Sequence, residues 1–116
     1  MKFLDSMQID PPPQTCFIKK DGILERNPGT FSSWKQCYLV ITTEGFLHVF
    51  SSKEEKEPIT TVNLQRAKVA LKKDTRFDVI EQKKGLIGNK KVTVQLRAKT
   101  LGDMQDWMKE IRECIG

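Results

Sequence analysis

Apolar residues recur at intervals of three and four near the end of the chain, between positions 100 and 115. They form a single stripe of Leu101, Met104, Trp107, Met108, Ile111, Cys114 and Ile115. This spacing predicts an amphipathic helix whose apolar side is buried against the rest of the chain. Thr100 as the N-cap, with Asp103 three positions later, predicts where the helix begins. We expect Trp107, the largest side chain of the stripe, to fill the core beneath the helix.

Short strands separated by turns are predicted between positions 16 and 99. In residues 90–99, apolar Val92, Val94, Leu96 and Ala98 alternate with polar residues, which is typical of a strand with one buried face. Residues 34–43 are rich in β-branched and aromatic side chains, which also favour a strand. The other predicted strands are 16–26, 46–50, 59–64, 68–71 and 77–82, and 83–91 is interpreted as a basic hairpin loop. The pattern predicts a mainly β domain, with six or seven strands closed by one C-terminal α-helix.

The first fifteen residues differ from this pattern. Pro11, Pro12 and Pro13 stand in a row, and prolines lack a backbone donor and hold the chain extended. We interpret residues 1–15 as a linker or a leftover of expression, and 16–116 as one domain. No stretch approaches the roughly 20 apolar residues that cross a bilayer, and residues 1–10 do not resemble a secretory signal. A cytoplasmic location is therefore expected.

The reactive side chains are few and scattered. Cys16, Cys37 and Cys114 are widely spaced, with no CxxC pair, and His48 is the one histidine. This arrangement predicts reduced thiols in the core rather than disulfides or a metal site. Because no nucleophile, base and orienting group can be assembled, we expect no enzymatic activity, no cofactor and no metal.

The net charge is +5, and much of the surplus falls in predicted loops; the basic clusters lie at positions 19–20, 72–76, 83–84 and 90–91. A single cluster usually only keeps a domain soluble, but several on one small sheet indicate an anionic partner. Nucleic acid fits poorly because the cations are not interleaved with exposed aromatic residues. Phe31, at the tip of the first predicted loop, either packs on its neighbour or inserts into a lipid interface. We predict membrane contact by Phe31, Lys19 and Lys20.

Three motifs, in their order and spacing, resemble the pleckstrin homology (PH) family. They are Gly22-Ile-Leu24 in the first strand, Trp34-Lys35-x-x-Tyr38-Leu39-Val40 in the second, and Trp107 in the final helix. The resemblance covers residues 16–116. It implies a seven-stranded antiparallel curled sheet, or barrel, of four plus three strands capped by one C-terminal helix.

The resemblance also implies a function. Members of the family serve as lipid-binding, membrane-targeting modules in signalling, so we expect a peripheral membrane protein that binds phosphoinositides and recruits its parent protein to the plasma membrane. The alternative is a protein-protein interaction domain on the same scaffold that binds no lipid tightly, since fold does not determine function. A fungal group with F-BAR and PH domains, the Slm type, is also similar to this chain.

The usual phosphoinositide pocket of the family takes a basic residue late in strand one and a basic-x-Arg pair at the start of strand two. Several cations are needed because a phosphomonoester carries about −1.5 to −2 charges. Arg26 and Lys35 match two of these positions, but Cys37 stands where the Arg would be. This departure argues against the usual pocket.

Some relatives, spectrin's PH domain among them, bind instead on the opposite side of the first loop, against the loop joining strands five and six. The Ser33-Trp34-x-x-Tyr38 stretch is similar to spectrin's, which also lacks the Arg. The resemblance then implies a phosphoinositide site formed by Arg26, Ser32, Ser33, Trp34, Lys72 and Lys73. Arg26, at the end of the first strand, is predicted to reach either site.

Overall fold

The computed structural model describes residues 17–29, 33–85 and 88–115. These segments contain seven strands: β1 (Ile18–Asn27), β2 (Lys35–Thr42), β3 (Phe46–Phe50), β4 (Thr60–Asn63), β5 (Ala67–Leu71), β6 (Arg76–Gly85) and β7 (Gly88–Arg97). A short 3-10 turn, Leu64–Arg66, connects β4 to β5, and one helix, α1 (Leu101–Cys114), ends the fold. The predicted fold class, mainly β with a single C-terminal helix, is confirmed.

The strands form one antiparallel sheet in the order β4-β3-β2-β1-β7-β6-β5. β1 pairs with β2 along most of its length, but it pairs with β7 over only three residue pairs. Those pairs are Glu25 with Arg97, Arg26 with Leu96, and Asn27 with Gln95. The sheet therefore curls, and groups of four and three strands meet along a short seam.

The concave inner face of this sheet holds the core. Fully buried side chains alternate along the strands, as in Phe77 and Val79 of β6, so the residues between them point away from the core. Glu81 continues the buried series at 3% exposure, and its carboxylate accepts a hydrogen bond from the backbone N–H of Asn63 at 3.0 Å. This bond ties β6 to the end of β4, and it satisfies a carboxylate that would otherwise be buried alone.

The helix α1 closes one end of the sheet, and Trp107 lies beneath it with 2% of its surface exposed. A Cβ on Gly22 would lie 3.3 Å from the Trp107 ring, so the glycine in β1 leaves room for that ring. The hydroxyl oxygen of Thr100 accepts a hydrogen bond from the Asp103 N–H at 3.0 Å, which is the predicted N-cap. Leu101 was expected on the buried stripe, but it is 55% exposed because it begins the helix, outside the packed turns.

One other expectation is wrong, and the expectation of reduced thiols in the core is met in part. The loop predicted at 83–91 is wrong, because β6 and β7 continue as a paired ribbon until Gly85 meets Gly88. Backbone hydrogen bonds hold that ribbon, so it needs no apolar alternation that the sequence would reveal. Cys37 is a free thiol in the core and Cys114 is free and half-buried, while Cys16 lies outside the described residues.

In the described part of the chain, no helix is long and apolar enough to cross a membrane. The same residues contain no group of three or more His, Cys, Asp or Glu side chains that could hold a metal ion.

Candidate functional site

An open cleft of about 380 Å³ lies beside the connection between β1 and β2. Its lining combines one aromatic ring, three cations, one carboxylate and one amide, from Trp34, Lys72, Lys73, Arg76, Asp78 and Gln95. The three cations and one carboxylate give the lining a formal charge of +2. We call this the cationic cleft.

The cationic cleft lies on the outer face of the sheet. Asp78 and Gln95 are directly paired across β6 and β7, and the residues on either side of each are buried. Because side chains alternate along a strand, these two point away from the core. They form a polar floor on two neighbouring strands, where the backbone is held by the ladder of the sheet.

The two lysines come from the turn between β5 and β6, and its backbone is closed by hydrogen bonds. The N–H of Lys72 donates to the carbonyl of Arg76 at 3.0 Å, and the N–H of Arg76 donates to the carbonyl of Lys73 at 3.2 Å. Asp74 at its tip has φ of 60°, a left-handed conformation that aspartate tolerates better than most residues. The turn therefore presents its cations from a defined backbone.

Thr75 anchors this turn to the end of β7. Its hydroxyl donates to the carbonyl of Ala98 at 2.6 Å, and the N–H of Ala98 donates back to the carbonyl of Thr75 at 3.1 Å. The side chain of Arg76 is also held, because its Nε–H donates to the carbonyl of Lys73 at 3.3 Å. The guanidinium of Arg76 has four further N–H donors, which can bind a ligand.

Trp34 forms the wall of the cleft on the side of the first loop. The guanidinium of Arg97 lies 4.5 Å from its ring centroid, within the range of a cation–π contact. The Nε–H of Arg97 also donates to the Glu25 carboxylate at 2.8 Å. Trp34 is thus held half-buried in one orientation, and the charge of Arg97 is offset by Glu25.

Lys72 and Asp78 form an ion pair inside the cleft, with Nζ and Oδ2 3.9 Å apart. The Lys72 side chain is 51% exposed, whereas that of Asp78 is only 16% exposed. Ion pairs with an exposed partner at this distance contribute little, so a ligand can displace the ammonium at small cost. The carboxylate stays where it is, because its strand is fixed.

Arg26 and Lys35 lie on the other face from this cleft. They are Cα partners across β1 and β2. Each lies two positions from a buried residue of its own strand, and so on the same face of the sheet as that residue. Burial raises the pKa of Cys37 to about 11, and the charge of Arg26 acts against that rise. Arg26 therefore faces the inner side with Cys37, and it does not line the cationic cleft, where we had predicted that it could reach.

The remaining predicted site residues do not lie together. Ser33 is exposed next to Trp34, while Phe31 and Ser32 lie outside the described residues. Lys19 is at the start of β1, the opposite end from the cleft, and its ammonium is 3.1 Å from Glu113 of α1. That contact raises the pKa of Lys19. Lys20 lies 4.9 Å from the Trp107 ring centroid.

A second cleft, of about 270 Å³, opens between the first hairpin and the loop after β3. It is lined by Ile23, Gln36, Cys37, Tyr38, Ser51, Ser52, Lys53 and Glu54, with one cation and one anion. A hydrogen bond to Asp21 raises the pKa of Tyr38 to about 12, so the phenol stays neutral at physiological pH. This neutral cleft offers no surplus of positive charge.

Sequence reasoning missed several residues of the cationic cleft. Arg76 was visible only as one member of a basic cluster, and Asp78 and Gln95 were not singled out, nor was Arg97, which contacts the Trp34 ring. The alternation of β7 does indicate that Gln95 and Arg97 point outward. Their neighbours are set by the pairing of β7 with β1 and β6, which the alternation does not reveal.

Comparison with known proteins gives matches among solved structures, whereas no curated protein sequence matches. The C-terminal PH domain of human pleckstrin in solution has 19% identity and a TM-score of 0.71, over 97% of this chain and 92% of that one. Slm1-PH in complex with inositol-4-phosphate has 24% identity and a TM-score of 0.68, over 86% and 98%. A further Slm1-PH structure, described as binding ligand outside the usual site, has 21% identity and a TM-score of 0.67, over 85% and 98%. At these identities the likeness concerns the fold.

The family model of the PH domain matches residues 18–116, from the first residue of β1 to the end of the chain. The match agrees with the seven strands, the C-terminal helix and the buried Trp107. The chain therefore belongs to the PH domain family.

Proposed function

We propose that this PH domain is a phosphoinositide-binding, membrane-targeting module that recruits its parent protein from the cytoplasm to the plasma membrane. The observation that carries the proposal is the cationic cleft, in which three cations surround an aromatic wall. A phosphomonoester carries about −1.5 to −2 charges, close to the formal charge of +2 on the cleft lining.

Each type of side chain in the cleft suits part of an inositol phosphate. Arg76 offers a planar set of donors for phosphate oxygens, and Lys72 and Lys73 act as mobile point charges beside it. The half-buried ring of Trp34 offers apolar surface to the carbon skeleton of the sugar. Ser33, and Ser32 beside it in the sequence, are proposed as hydroxyl donors at the rim.

The comparisons support this assignment. The C-terminal PH domain of pleckstrin has been solved with two inositol pentakisphosphates, and Slm1-PH with inositol-4-phosphate. The Slm1 ligand described outside the usual site is of particular interest, because here the usual pocket has the buried Cys37 in place of an arginine. We therefore assign the ligand to the cationic cleft rather than to Arg26 and Lys35 on the inner side.

Membrane contact completes the proposal. Phe31 belongs to the connection that also carries Trp34, so its insertion into the lipid interface would set the cleft at the level of the head groups. Lys19 and Lys20 are seven and six residues before Arg26, and at about 3.3 Å per residue they are roughly 20 Å from that end of β1. Their contact with the membrane remains a prediction, and it requires both ends of β1 to lie close to the membrane surface.

Sedimentation with phosphoinositide vesicles tests the function and the site together. Lys72→Ala combined with Lys73→Ala is expected to lower affinity about tenfold or more per lost contact, because each charge-assisted bond contributes roughly 1.5 to 3 kcal/mol. Lys35→Ala is expected to change affinity less. A charge-matched control, Lys56→Ala with Lys109→Ala, removes two exposed lysines that do not line the cleft. Loss of binding with Lys35→Ala alone would assign the ligand to the usual pocket.

The second candidate is a protein-protein interaction domain, and the neutral cleft favours it. That cleft has balanced charge, and Ile23 on its border is 54% exposed. Raising the salt concentration separates the two candidates. Affinity for anionic vesicles should fall with salt if cations bind the head groups, because screening acts within a Debye length of about 8 to 10 Å. Vesicle binding that is absent, or equal without phosphoinositide, would favour the protein partner.

A further inference from the structure

The cationic cleft contains one carboxylate among its lining residues, and a carboxylate is unexpected where an anion is to bind. Asp78 projects from β6 into the floor of the cleft, and its side chain is only 16% exposed. An ionised carboxylate accepts hydrogen bonds and cannot donate them. Asp78 therefore opposes a phosphate that lies against it and favours a hydroxyl group.

The charges around Asp78 limit how much phosphate the cleft can hold. Asp78 pairs with Lys72, and the nearby Arg97 is offset by Glu25, so within the described ranges Lys73 and Arg76 supply the uncompensated charge. Two positive charges match one phosphomonoester. A second phosphomonoester in the cleft would exceed that charge and would approach the Asp78 carboxylate.

The position of Asp78 also defines what kind of group it contacts. Its Cα partner across the strands is Gln95, whose amide can both donate and accept. A carboxylate and an amide side by side can bind vicinal hydroxyl groups of a sugar ring. The carboxylate accepts a hydrogen bond from one hydroxyl, and the amide donates to the other or accepts from it. The floor of the cleft thus complements unmodified inositol hydroxyls, while the turn carrying Lys73 complements phosphate.

We propose that Asp78 makes the cleft selective for phosphoinositides that place a single phosphomonoester in it, with a free ring hydroxyl donating to the Asp78 carboxylate. This inference rests on the proposed function and specifies its ligand. Head groups with two vicinal phosphomonoesters gain no affinity from the second one, because it meets the carboxylate. The selectivity is set by repulsion as well as by attraction.

Asp78→Asn tests the inference, because it keeps the shape of the side chain and removes its charge. Vesicles carry each phosphatidylinositol monophosphate or each bisphosphate with vicinal phosphates, with phosphatidylserine adjusted to keep the surface charge equal. We expect the wild type to bind the best bisphosphate within about threefold of the best monophosphate. Asp78→Asn is expected to raise bisphosphate affinity about tenfold and monophosphate affinity less than threefold, since like charges in contact are strongly unfavourable.

Asp106→Asn on the exposed surface of α1 is the matched control for the added positive charge, and it should raise both affinities equally. Asp78→Ser serves as a second variant, and thermal melting checks that each variant is folded. If Asp78→Asn changes the ratio of the two affinities no more than Asp106→Asn does, the selectivity inference is wrong while phosphoinositide binding stands. If no variant binds phosphoinositide above the phosphatidylserine background, the proposed function and this inference both fail.

Discussion

The domain contains two tryptophans, each with a cation over its ring, and the two pairs lie at opposite ends of β1. At the helix-capped end, Lys20 lies 4.9 Å from the Trp107 ring, and Trp107 is buried against Gly22. At the cleft end, Arg97 lies 4.5 Å from the Trp34 ring, and Trp34 is half-buried beside the cationic cleft. The local contact is similar, but the burial is not.

This difference separates stability from binding. A buried aromatic ring contributes most of its transfer free energy to folding, whereas a half-exposed ring keeps apolar surface for a partner. The cation also differs in its effect. Lys20 covers the outer edge of the core, whereas Arg97 holds the ring of Trp34 in place as a wall. We therefore expect substitutions at the two ends to affect different measurements.

The largest expected effect is at the helix-capped end. Trp107→Ala should lower the free energy of unfolding by roughly 3 to 5 kcal/mol, because it empties a large aromatic side chain from the core. That is a large share of a typical total of about 5 to 15 kcal/mol. Denaturant unfolding measures it. Leu101→Ala, on the exposed start of the same helix, is the control and should change stability by no more than about 0.5 kcal/mol.

A smaller effect at the same end should come from Gly22→Val. A Cβ there would already be 3.3 Å from the Trp107 ring, and the further methyl groups would force the ring to move. Overpacking of this kind usually costs about 1 to 3 kcal/mol. Gly102→Ala is the control, since an added Cβ meets nothing within 4 Å and alanine favours a helix. Equal melting temperatures for wild type and Gly22→Val would show that the ring is free to move.

At the cleft end, Trp34→Ala should lower phosphoinositide affinity more than it lowers stability. Stability should fall by about 1 kcal/mol or less, because the lost contact with Arg97 is partly exposed. Phosphoinositide affinity should fall about tenfold, as the wall of the cleft is lost. Trp34→Phe keeps an aromatic wall and should retain most of the affinity. A stability loss as large as that of Trp107→Ala would mean that both tryptophans serve the core.

The smallest effect is expected away from both tryptophans, on the outer face of β3. Burial lowers the pKa of His48, whose Nδ1 lies 2.8 Å from the Thr61 hydroxyl. Below pH of about 6.5 the unfolded chain takes up a proton at His48 before the folded one does, so stability falls as the pH drops from there toward the lower folded pKa.

His48→Gln removes that proton uptake and should flatten the pH dependence in this window. Melting temperatures at closely spaced pH values measure the difference between the two proteins, in which the contributions of the carboxylates cancel. Vesicle binding at neutral pH should be unchanged. An identical pH slope in both proteins would mean that His48 titrates alike in the folded and unfolded chain.

Features that depend only on near neighbours were predictable from the amino-acid sequence. Thr100 and Asp103 mark the start of α1 because a cap needs only residues three apart, and the alternation of β7 marks its buried face. The lysines of the turn after β5 are adjacent in the sequence, so this cluster and the family resemblance together identified them as a candidate site. The boundaries of β6 and β7 could not be predicted in this way, since ladder hydrogen bonds extend the ribbon through polar residues.

Which distant residues meet depends on how the strands pair in the folded sheet. Arg97 and Glu25 are 72 positions apart, and they pair because β7 joins β1 in one register along a three-residue seam. The same register turns Arg26 inward, away from the cleft, and the register of β6 with β7 places Asp78 beside Gln95 in it. A shift of one residue would exchange the two faces, and periodicity within one strand carries no information about its register with another. The face and the charge balance of the cleft are therefore products of strand pairing.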